Sequence, residues 1–147
     1  MRAFLQSILD GERPGIDECV DTLGRDLPAL LDFKDTPQDP QWHAEGDVHI
    51  HTGMVMDEAY KLIDTEAAHL DAKRRRLVVL GALLHDIAKP FSTSKRVIHD
   101  VLRTVARDHE AKGRSYLVPR MLDAGLDYDE LETLLGLVGY HHEPKLL

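Results

Sequence analysis

Hydrophobic positions recur at three- and four-residue spacing through most of this chain, which is the pattern of amphipathic helices. Residues 2–9 and Ile16–Leu31 each carry such a face, and Pro28 is expected to weaken the last turn of the second. The stretch Asp35–Gly46 contains two prolines and is predicted to be a loop. We therefore expect two short helices and a loop ahead of the first long helix.

Two longer helical patterns follow the loop. Asp47 is expected to cap the first, because its carboxylate can accept a hydrogen bond from the opening turn. The apolar face of that helix is predicted to carry Val48, His51, Val55, Ala59, Leu62 and Ile63. The second pattern, Ala72–Ala88, stops before Pro90 and is predicted to be the central helix of the core.

The C-terminal third is less regular. Residues 91–108 show no clear period and are expected to be irregular, with a hairpin or a short helix as the alternatives for Arg96–Arg107. Two further helices are predicted at Glu110–Asp123 and Asp129–Tyr140, separated by Gly125. With five or six helices and no strand among the assigned elements, the expected fold class is all-α.

The composition narrows the partners. Lys and Arg total 18 against 26 Asp and Glu, a net charge of −8 that opposes broad binding to duplex nucleic acid. Cys19 is the single cysteine, which precludes an internal disulfide and fits a reducing cytoplasm. No secretory or membrane-spanning segment is predicted. The length fits one domain over residues 1–147.

Histidine and aspartate at unexpected positions point to the chemistry. His85 and Asp86 lie in the most apolar predicted helix, where burial costs free energy unless such groups are hydrogen-bonded, paired or bound to a metal. His51 raises the same question on the preceding helix. Two neighbouring helices with such groups can supply a mixed nitrogen and oxygen site for a divalent cation. The alternative is a buried His–Asp hydrogen bond that only joins two helices.

These residues carry a family resemblance. The string His-Asp-Ile-Ala-Lys-Pro at 85–90, with His51 upstream, resembles the HD superfamily of metal-dependent phosphohydrolases over roughly residues 40–147. The string Gln-Trp-His-Ala-Glu-Gly-Asp-Val-His-Ile-His-Thr at 41–52 is similar to the HD regions of two groups of proteins. They are the bacterial CCA-adding tRNA nucleotidyltransferases and the bifunctional HD phosphohydrolase and polynucleotide kinase proteins. The resemblance implies an HD-type helical bundle with a metal site between core helices, divided into N-terminal helices at 1–40 and a metal-binding core at 41–147.

The same resemblance suggests a second group of ligands. His109 and the pair His141 and His142 resemble the additional ligands of two-metal HD enzymes. For the pair, the alternative is that both residues only complement the dipole at a helix C-terminus. The expected cofactor is one or two divalent ions, with Mn, Co, Ni, Fe, Zn and Mg all compatible with nitrogen and carboxylate ligands.

One departure from the family pattern stands beside this resemblance. The superfamily signature closes with a further Asp after the last histidines, and the residues after His142 contain none. Either a histidine replaces that Asp, or the sequence is part of a longer protein with a second domain. A homo-oligomer is a further option, and the departure also supports a non-catalytic HD-like sensing module.

Several cationic and aromatic residues are candidates for the substrate. Lys89 lies one turn beyond His85, where it can stabilise charge on phosphoryl oxygens or merely complement the helix dipole. Arg96 and Arg114 are expected at the mouth of the site as substrate-binding residues. Trp42 can stack on a base or complete the core, and the core role is preferred.

Other conspicuous residues are expected to be ordinary. His43, His49 and His69 are assigned to surface or loop positions, with the mouth of the site as the alternative for His43, and the second His-Asp pair at 99–100 is assigned to the surface. The basic run 73–76 is expected to be a solvated helix face.

The predicted activity is hydrolysis by a metal-activated water, with Asp86, Lys89 and His109 as catalytic residues. The resemblance implies phosphomonoesters or 2′,3′-cyclic phosphodiesters of nucleotides or RNA ends as substrates. The net charge argues against long duplex nucleic acid, and no membrane partner is expected. The alternatives are a 5′-nucleotidase or nucleoside triphosphate hydrolase of the same superfamily, or the non-catalytic module. The sequence lacks a glycine-rich phosphate loop, so kinase or ATPase activity is not expected.

Overall fold

The computed structural model of the chain describes residues 1–142, most of them in helices. The α-helices of this part are α1 (Arg2–Leu9), α2 (Ile16–Leu23), α3 (Val48–Asp64), α4 (Ala72–Leu84), α5 (His109–Arg120) and α6 (Tyr128–Gly139). The remaining elements are two 3-10 segments, Pro28–Asp35 and Lys89–Phe91, and the strands β1 (Thr93–Ile98) and β2 (Val101–Ala106). Within these residues, no helix combines the length and the apolar character needed to cross a membrane.

Side-chain caps fix where three of the core helices begin. The carboxylate of Asp47 accepts a hydrogen bond from the amide of Ile50 at 2.9 Å, which confirms the predicted cap of α3. Asp71 caps α4 in the same way, and Asp127 forms a reciprocal capping box with Glu130 at the start of α6. The cap of α3 matters most for the site, because it sets the position of the first turn that carries His51.

Helix α4 lies at the centre of the fold and packs against α1, α3 and α6. Nearly all of its residues from Arg76 onwards are buried, and they belong to one continuous hydrophobic cluster that also includes residues of the N-terminal helices. The predicted central helix is therefore confirmed, although it ends at Leu84 rather than at Ala88. His85 and Asp86 consequently lie in the turn that follows α4.

The predicted second helix is wrong in its length. Helix α2 ends at Leu23, and a 3-10 segment begins at Pro28. Proline has no amide hydrogen and its ring clashes with the preceding turn, which disfavours continuation of α2 through Pro28. The hydrophobic residues of the interrupted stretch still reach the core, where the buried side chains are Leu27, Leu30 and Phe33.

The segment predicted to be irregular forms an antiparallel hairpin. Strands β1 and β2 pair in register, with Ile98 opposite Val101 next to the turn. The turn residues His99 and Asp100 both have positive φ, at 50° and 64°, which is the backbone geometry of a tight turn that matches strand twist. The all-α expectation is therefore correct for the helix-rich body of the fold and wrong for this hairpin.

Three side chains differ from the expected burial. Arg76 is 3% exposed and donates a hydrogen bond to Glu130 at 2.5 Å, so the basic run 73–76 is not wholly a solvated face. His49, expected at the surface or in a loop, is buried in α3. Its Nε2 lies 2.8 Å from Oδ1 of Asp17, and this contact joins α3 to α2. Leu62 was placed on the apolar face of α3 but is 40% exposed, because that face turns through Met56, Ala59 and Ile63 instead.

Candidate metal centre

Histidines from separate elements converge on one aspartate. His51 lies in the first turn of α3, His85 and Asp86 in the turn after α4, His109 at the start of α5, and His141 just beyond α6. All six predicted metal ligands, together with Lys89, line a single cavity of about 390 Å³. The structure thus brings together the residues that the sequence proposed as a metal-binding group.

The carboxylate of Asp86 is the centre of this group and is 1% exposed. Its Oδ2 lies 3.1 Å from Nε2 of His85 and 3.6 Å from Nε2 of His51. Its Oδ1 lies 3.1 Å from Nε2 of His109 and 3.6 Å from Nε2 of His141. The two oxygens of one carboxylate therefore face two different pairs of imidazoles.

The outer ring nitrogens determine which tautomer these histidines adopt. In His85, His109 and His141, Nδ1 lies 2.7–2.8 Å from the backbone carbonyl oxygen three residues earlier. In His51, Nδ1 lies 2.5 Å from Oε1 of Glu45. Because a carbonyl oxygen can only accept, Nδ1 carries the proton and donates it, and Nε2 of the neutral ring holds a lone pair. The four Nε2 atoms therefore direct lone pairs towards Asp86.

Such an arrangement offers more electron-pair donors than the neighbouring ammonium group, that of Lys89 beside Oδ2, can satisfy. Both oxygens of Asp86 are buried and make no hydrogen bond within the described part of the chain. Nε2 of His109 lies 3.2 Å from Nε2 of His141, and with both Nδ1 atoms protonated neither can donate to the other. Buried groups of this kind are normally paired or bound to a metal, and imidazole nitrogens with a carboxylate suit divalent transition ions. The donor set fits a divalent metal.

The electrostatics of the residues point the same way. Burial alone would raise the pKa of Asp86, but the neighbouring imidazoles of His109, His141 and His85 hold it well below its ordinary value. Burial lowers the pKa of His85, and Asp86 more than offsets this, so the net direction is upward; a metal ion that binds Nε2 would displace the proton that Asp86 favours there. The carboxylate stays ionised and the site attracts positive charge.

The predicted ligands form two groups that could each hold an ion. One group of three donor atoms within 4.8 Å of one another comes from His51, His85 and Asp86. A second group with the same spacing comes from His109, His141 and His142. Asp86 belongs to the first group, and its Oδ1 also faces His109 and His141 of the second, so its oxygens are placed to serve either one ion or a pair of ions.

Lys89 is held against this centre. Its Nζ lies 3.1 Å from Oδ2 of Asp86 and donates a hydrogen bond to Oε1 of Gln38 at 2.6 Å. The side chain is buried, which a solvated lysine that only complements a helix dipole would not be. The ammonium group is therefore in position to contact a ligand in the cavity.

Sequence reasoning missed several residues of the preceding loop. Glu45 contacts His51, Gln38 contacts Lys89, and Asp39 is a buried carboxylate near the cavity wall.

His43, from the same loop, does line the mouth of the cavity, with its ring 4.9 Å from that of His51. Burial and the charge of Lys89 lower the pKa of His43. The positive φ of Gly46, at 127°, marks the sharp turn between Glu45 and α3. Without a helical period, the loop gave no sequence signal for these contacts.

Two predicted substrate-binding residues are not at the site. Arg96 lies on an exposed position of β1, and Arg114 lies against Gly139 on the outer side of α5. Neither lines the cavity, to which β1 contributes only its first residue, Thr93, and α5 only His109. The preference for a core role of Trp42 is also wrong, since this residue is 55% exposed and lines the cavity.

The fold and the site define a class of protein: a helix-rich domain with a buried His and Asp centre suited to one or two divalent ions. The profile of the HD domain family matches residues 48–147, more than half of the chain, and the chain therefore belongs to the HD domain family. This membership places it in the superfamily of metal-dependent phosphohydrolases. Comparison with curated proteins finds no match, and comparison with solved structures finds none either.

Asp86→Asn is expected to abolish stoichiometric binding of a divalent metal, because it removes the charge that both groups of histidines face. Elemental mass spectrometry of the purified chain measures the bound metal. The second His-Asp pair offers a matched control, since Asp100→Asn changes the same group in the exposed hairpin turn and should leave the metal content unchanged. Full metal content in Asp86→Asn would mean that the ion is held elsewhere.

Glu45→Leu is expected to weaken metal binding by about 10- to 100-fold, because His51 loses the acceptor that keeps its proton on Nδ1. Glu45→Gln keeps an acceptor oxygen, so its metal affinity should lie between those of the unchanged chain and Glu45→Leu. Competition with a chelator measures the affinity, and nitrogen NMR of the imidazoles reports the tautomer of His51 without metal. Glu58→Leu, on the exposed side of α3, is the control. An unchanged tautomer in Glu45→Leu would remove this role from Glu45.

Proposed function

We propose that this chain is a metal-dependent phosphohydrolase that acts on 2′,3′-cyclic phosphates and 2′-phosphates of ribonucleotides or RNA ends. The observation that carries the reaction class is the buried carboxylate of Asp86 between two pairs of imidazole Nε2 atoms, with Lys89 beside it. A phosphoryl group that enters the cavity meets metal-binding atoms and an ammonium group together. Both are groups that stabilise charge on phosphoryl oxygens.

The residues divide the work as follows. His51, His85 and Asp86 would hold the principal ion, and His109 with His141 or His142 would hold a second. A bound divalent ion lowers the pKa of a coordinated water and polarises a phosphoryl oxygen. Lys89 stabilises the charge that develops on the phosphoryl group, and Gln38 keeps its ammonium in place.

The geometry favours a ligand role for His109 over a proton-donor role. Its Nδ1 is 2.8 Å from the carbonyl oxygen of Ala106, so the proton lies on the outer nitrogen. Its Nε2, which faces Asp86, then has a lone pair to donate to a metal and no proton for a leaving group. Protonation of the leaving group is therefore assigned to water in this proposal.

Size and charge support a small phosphate ester as substrate. The cavity of about 390 Å³ falls in the range of small-molecule sites, which suits a nucleotide or a single RNA end. The net charge of −8 disfavours engagement of many phosphates at once. The resemblance of residues 41–52 to HD regions of RNA-processing proteins supports the 2′ position over 5′-deoxynucleotides.

The absent closing Asp is a weaker argument for a non-catalytic module than the sequence suggested. Nε2 of His141 lies 3.6 Å from Oδ1 of Asp86, which is close enough for both atoms to bind one ion. This geometry supports His141 as a further ligand. The residues after His142 lie outside the described part of the chain.

A direct substrate comparison tests this proposal. The manganese-, cobalt- or nickel-loaded chain is incubated with 2′,3′-cyclic AMP, 2′-AMP, 3′-AMP, 5′-dAMP and dGTP, and the products are separated chromatographically. Faster turnover of 2′,3′-cyclic AMP and 2′-AMP is expected. Faster consumption of 5′-dAMP or dGTP would favour the nucleotidase or triphosphate hydrolase instead, and no turnover by a metal-loaded chain would favour the non-catalytic module.

Lys89→Met is expected to lower turnover by about a hundredfold or more while the metal remains bound, because one electrostatic contact to the phosphoryl group is lost. Lys61→Met is the control, since Lys61 is an exposed residue of α3 paired with Glu58. Initial rates and metal content are measured on the same preparations. Unchanged turnover at full metal content would return Lys89 to a purely structural role.

A further inference from the structure

We propose that Trp42 is the platform on which the planar base of the ligand stacks, so that this site takes nucleotides rather than phosphate esters in general. This inference rests on the proposed function, because it names the part of the substrate that lies beyond the phosphate. The phosphate end is placed at Asp86 and Lys89, and the base end at the cavity mouth. Trp42 and those two residues line the same cavity.

The exposure of Trp42 is the first observation. It is the sole tryptophan of the chain, and 55% of its surface is exposed although it lines the cavity. Leaving a large indole in water forgoes the free energy of burial, which for an aromatic side chain is among the largest of any residue. A ligand with a flat aromatic group would cover this surface when it occupies the cavity.

The second observation is that Trp42 is held in place. The guanidinium of Arg103, on β2, lies 5.1 Å from the centre of the indole ring, as in a cation–π contact. Arg103 is held in turn by Asp39, whose Oδ1 accepts from its Nη1 at 3.2 Å. The backbone amide of Trp42 also donates to the carbonyl oxygen of Asp39, at 3.1 Å. One residue therefore fixes both the indole and the cation stacked on it.

Asp39 itself is an unusual residue for a surface loop, because it is 3% exposed. Besides Arg103, its carboxylate accepts hydrogen bonds from the amides of Gln41 at 3.0 Å and Thr104 at 3.1 Å. It thus joins the loop to the hairpin across the cavity wall. A buried carboxylate, that of Asp39, thus helps to position the exposed ring of Trp42, as expected of a preorganised binding surface.

The third observation lies between the two ends of the cavity. Gln38 accepts from Lys89 through Oε1, and because an ammonium can only donate, Nε2 of the amide must point away from it. That Nε2 is buried and has no hydrogen-bond partner among residues 1–142, while Gln38 lines the cavity. An unpaired donor next to Lys89 matches the oxygens of a phosphate or a ribose hydroxyl. Gln38 and Asp39 are adjacent in the chain, so the donor and the platform are coupled.

The sole tryptophan makes the proposal measurable without turnover. The metal-free chain is titrated with 2′-AMP, adenosine and glycerol 2-phosphate while indole fluorescence is excited at wavelengths where adenine does not absorb. Saturable quenching by 2′-AMP, weaker quenching by adenosine and none by glycerol 2-phosphate are expected. The same titrations are repeated with the metal-loaded chain. No quenching by 2′-AMP in either form would overturn the proposal.

Variants separate stacking from a structural role. Trp42→Leu is expected to weaken 2′-AMP binding by roughly 5- to 150-fold, the usual effect of losing one stacked base, and to leave glycerol 2-phosphate binding unchanged. Trp42→Phe should restore most of the affinity. Tyr128→Leu removes another exposed aromatic ring that does not line the cavity, and should have no effect. Calorimetry measures binding, and circular dichroism verifies that each variant is folded.

The outcomes distinguish this proposal from the proposed function. Equal weakening of both ligands by Trp42→Leu would show that the ring only supports the cavity wall, and would overturn the platform. Hydrolysis of 2′-AMP without quenching would overturn the platform and leave the activity standing. Quenching with the expected variant pattern, in a chain that hydrolyses none of the tested substrates, would support the platform and contradict the activity.

Discussion

The compensation of one buried negative charge is the interaction on which this structure depends. Asp86 follows the most buried helix of the fold and is itself 1% exposed, so its charge requires partners. Those partners come from α3, α5, the end of α6, the turn after α4 and, for Lys89, the 3-10 segment that follows this turn. The ends of these helices are therefore arranged around a single side chain. A cation between the imidazoles and the carboxylate would stabilise the fold and perform the chemistry at the same place.

Two of the candidate metal ligands, His85 and His141, follow the C-terminal ends of helices, and their hydrogen bonds to those ends explain why they suit the site. The last carbonyl groups of a helix have no partner within the helix, and a following side chain can donate to them. His85 donates to the last turn of α4 and His141 to the last turn of α6, each through Nδ1. That same hydrogen bond leaves Nε2 unprotonated and directed at Asp86. The same ring orientation therefore completes the helix end and presents a metal ligand. For this reason His141 can interact with the end of α6 and also bind a metal.

The parts of the site that could be predicted are those where polar residues interrupt a strong apolar pattern. His51, His85, Asp86 and Lys89 stand out in helical stretches, because burial of such groups needs a reason. The loop residues Gln38, Asp39 and Glu45 gave no such signal, since their burial depends on contacts with distant elements rather than on a local period. The hairpin was not assigned for a related reason. Its strands are mostly exposed, so burial imposes no alternation of polar and apolar residues. Its turn also uses His99 and Asp100 in place of the usual Asn-Gly. Trp42 was assigned to the core because indole burial is the common case.

The family match covers the predicted metal ligands but not the loop before α3. The match begins at residue 48, whereas Gln38, Asp39, Trp42 and Glu45 all precede it. The predicted metal ligands and Lys89 lie inside the match. The preceding loop, fastened to β2 through Asp39, supplies the unpaired amide and the exposed indole. Asp39 does not contact the histidines, whereas Glu45 and Gln38 of the same loop contact His51 and Lys89. Changes at Glu45 or Gln38 are therefore expected to reach the metal-binding group. Under the proposed platform, ligand preference is expected to vary with Trp42 and the Asp39–Arg103 pair that holds it.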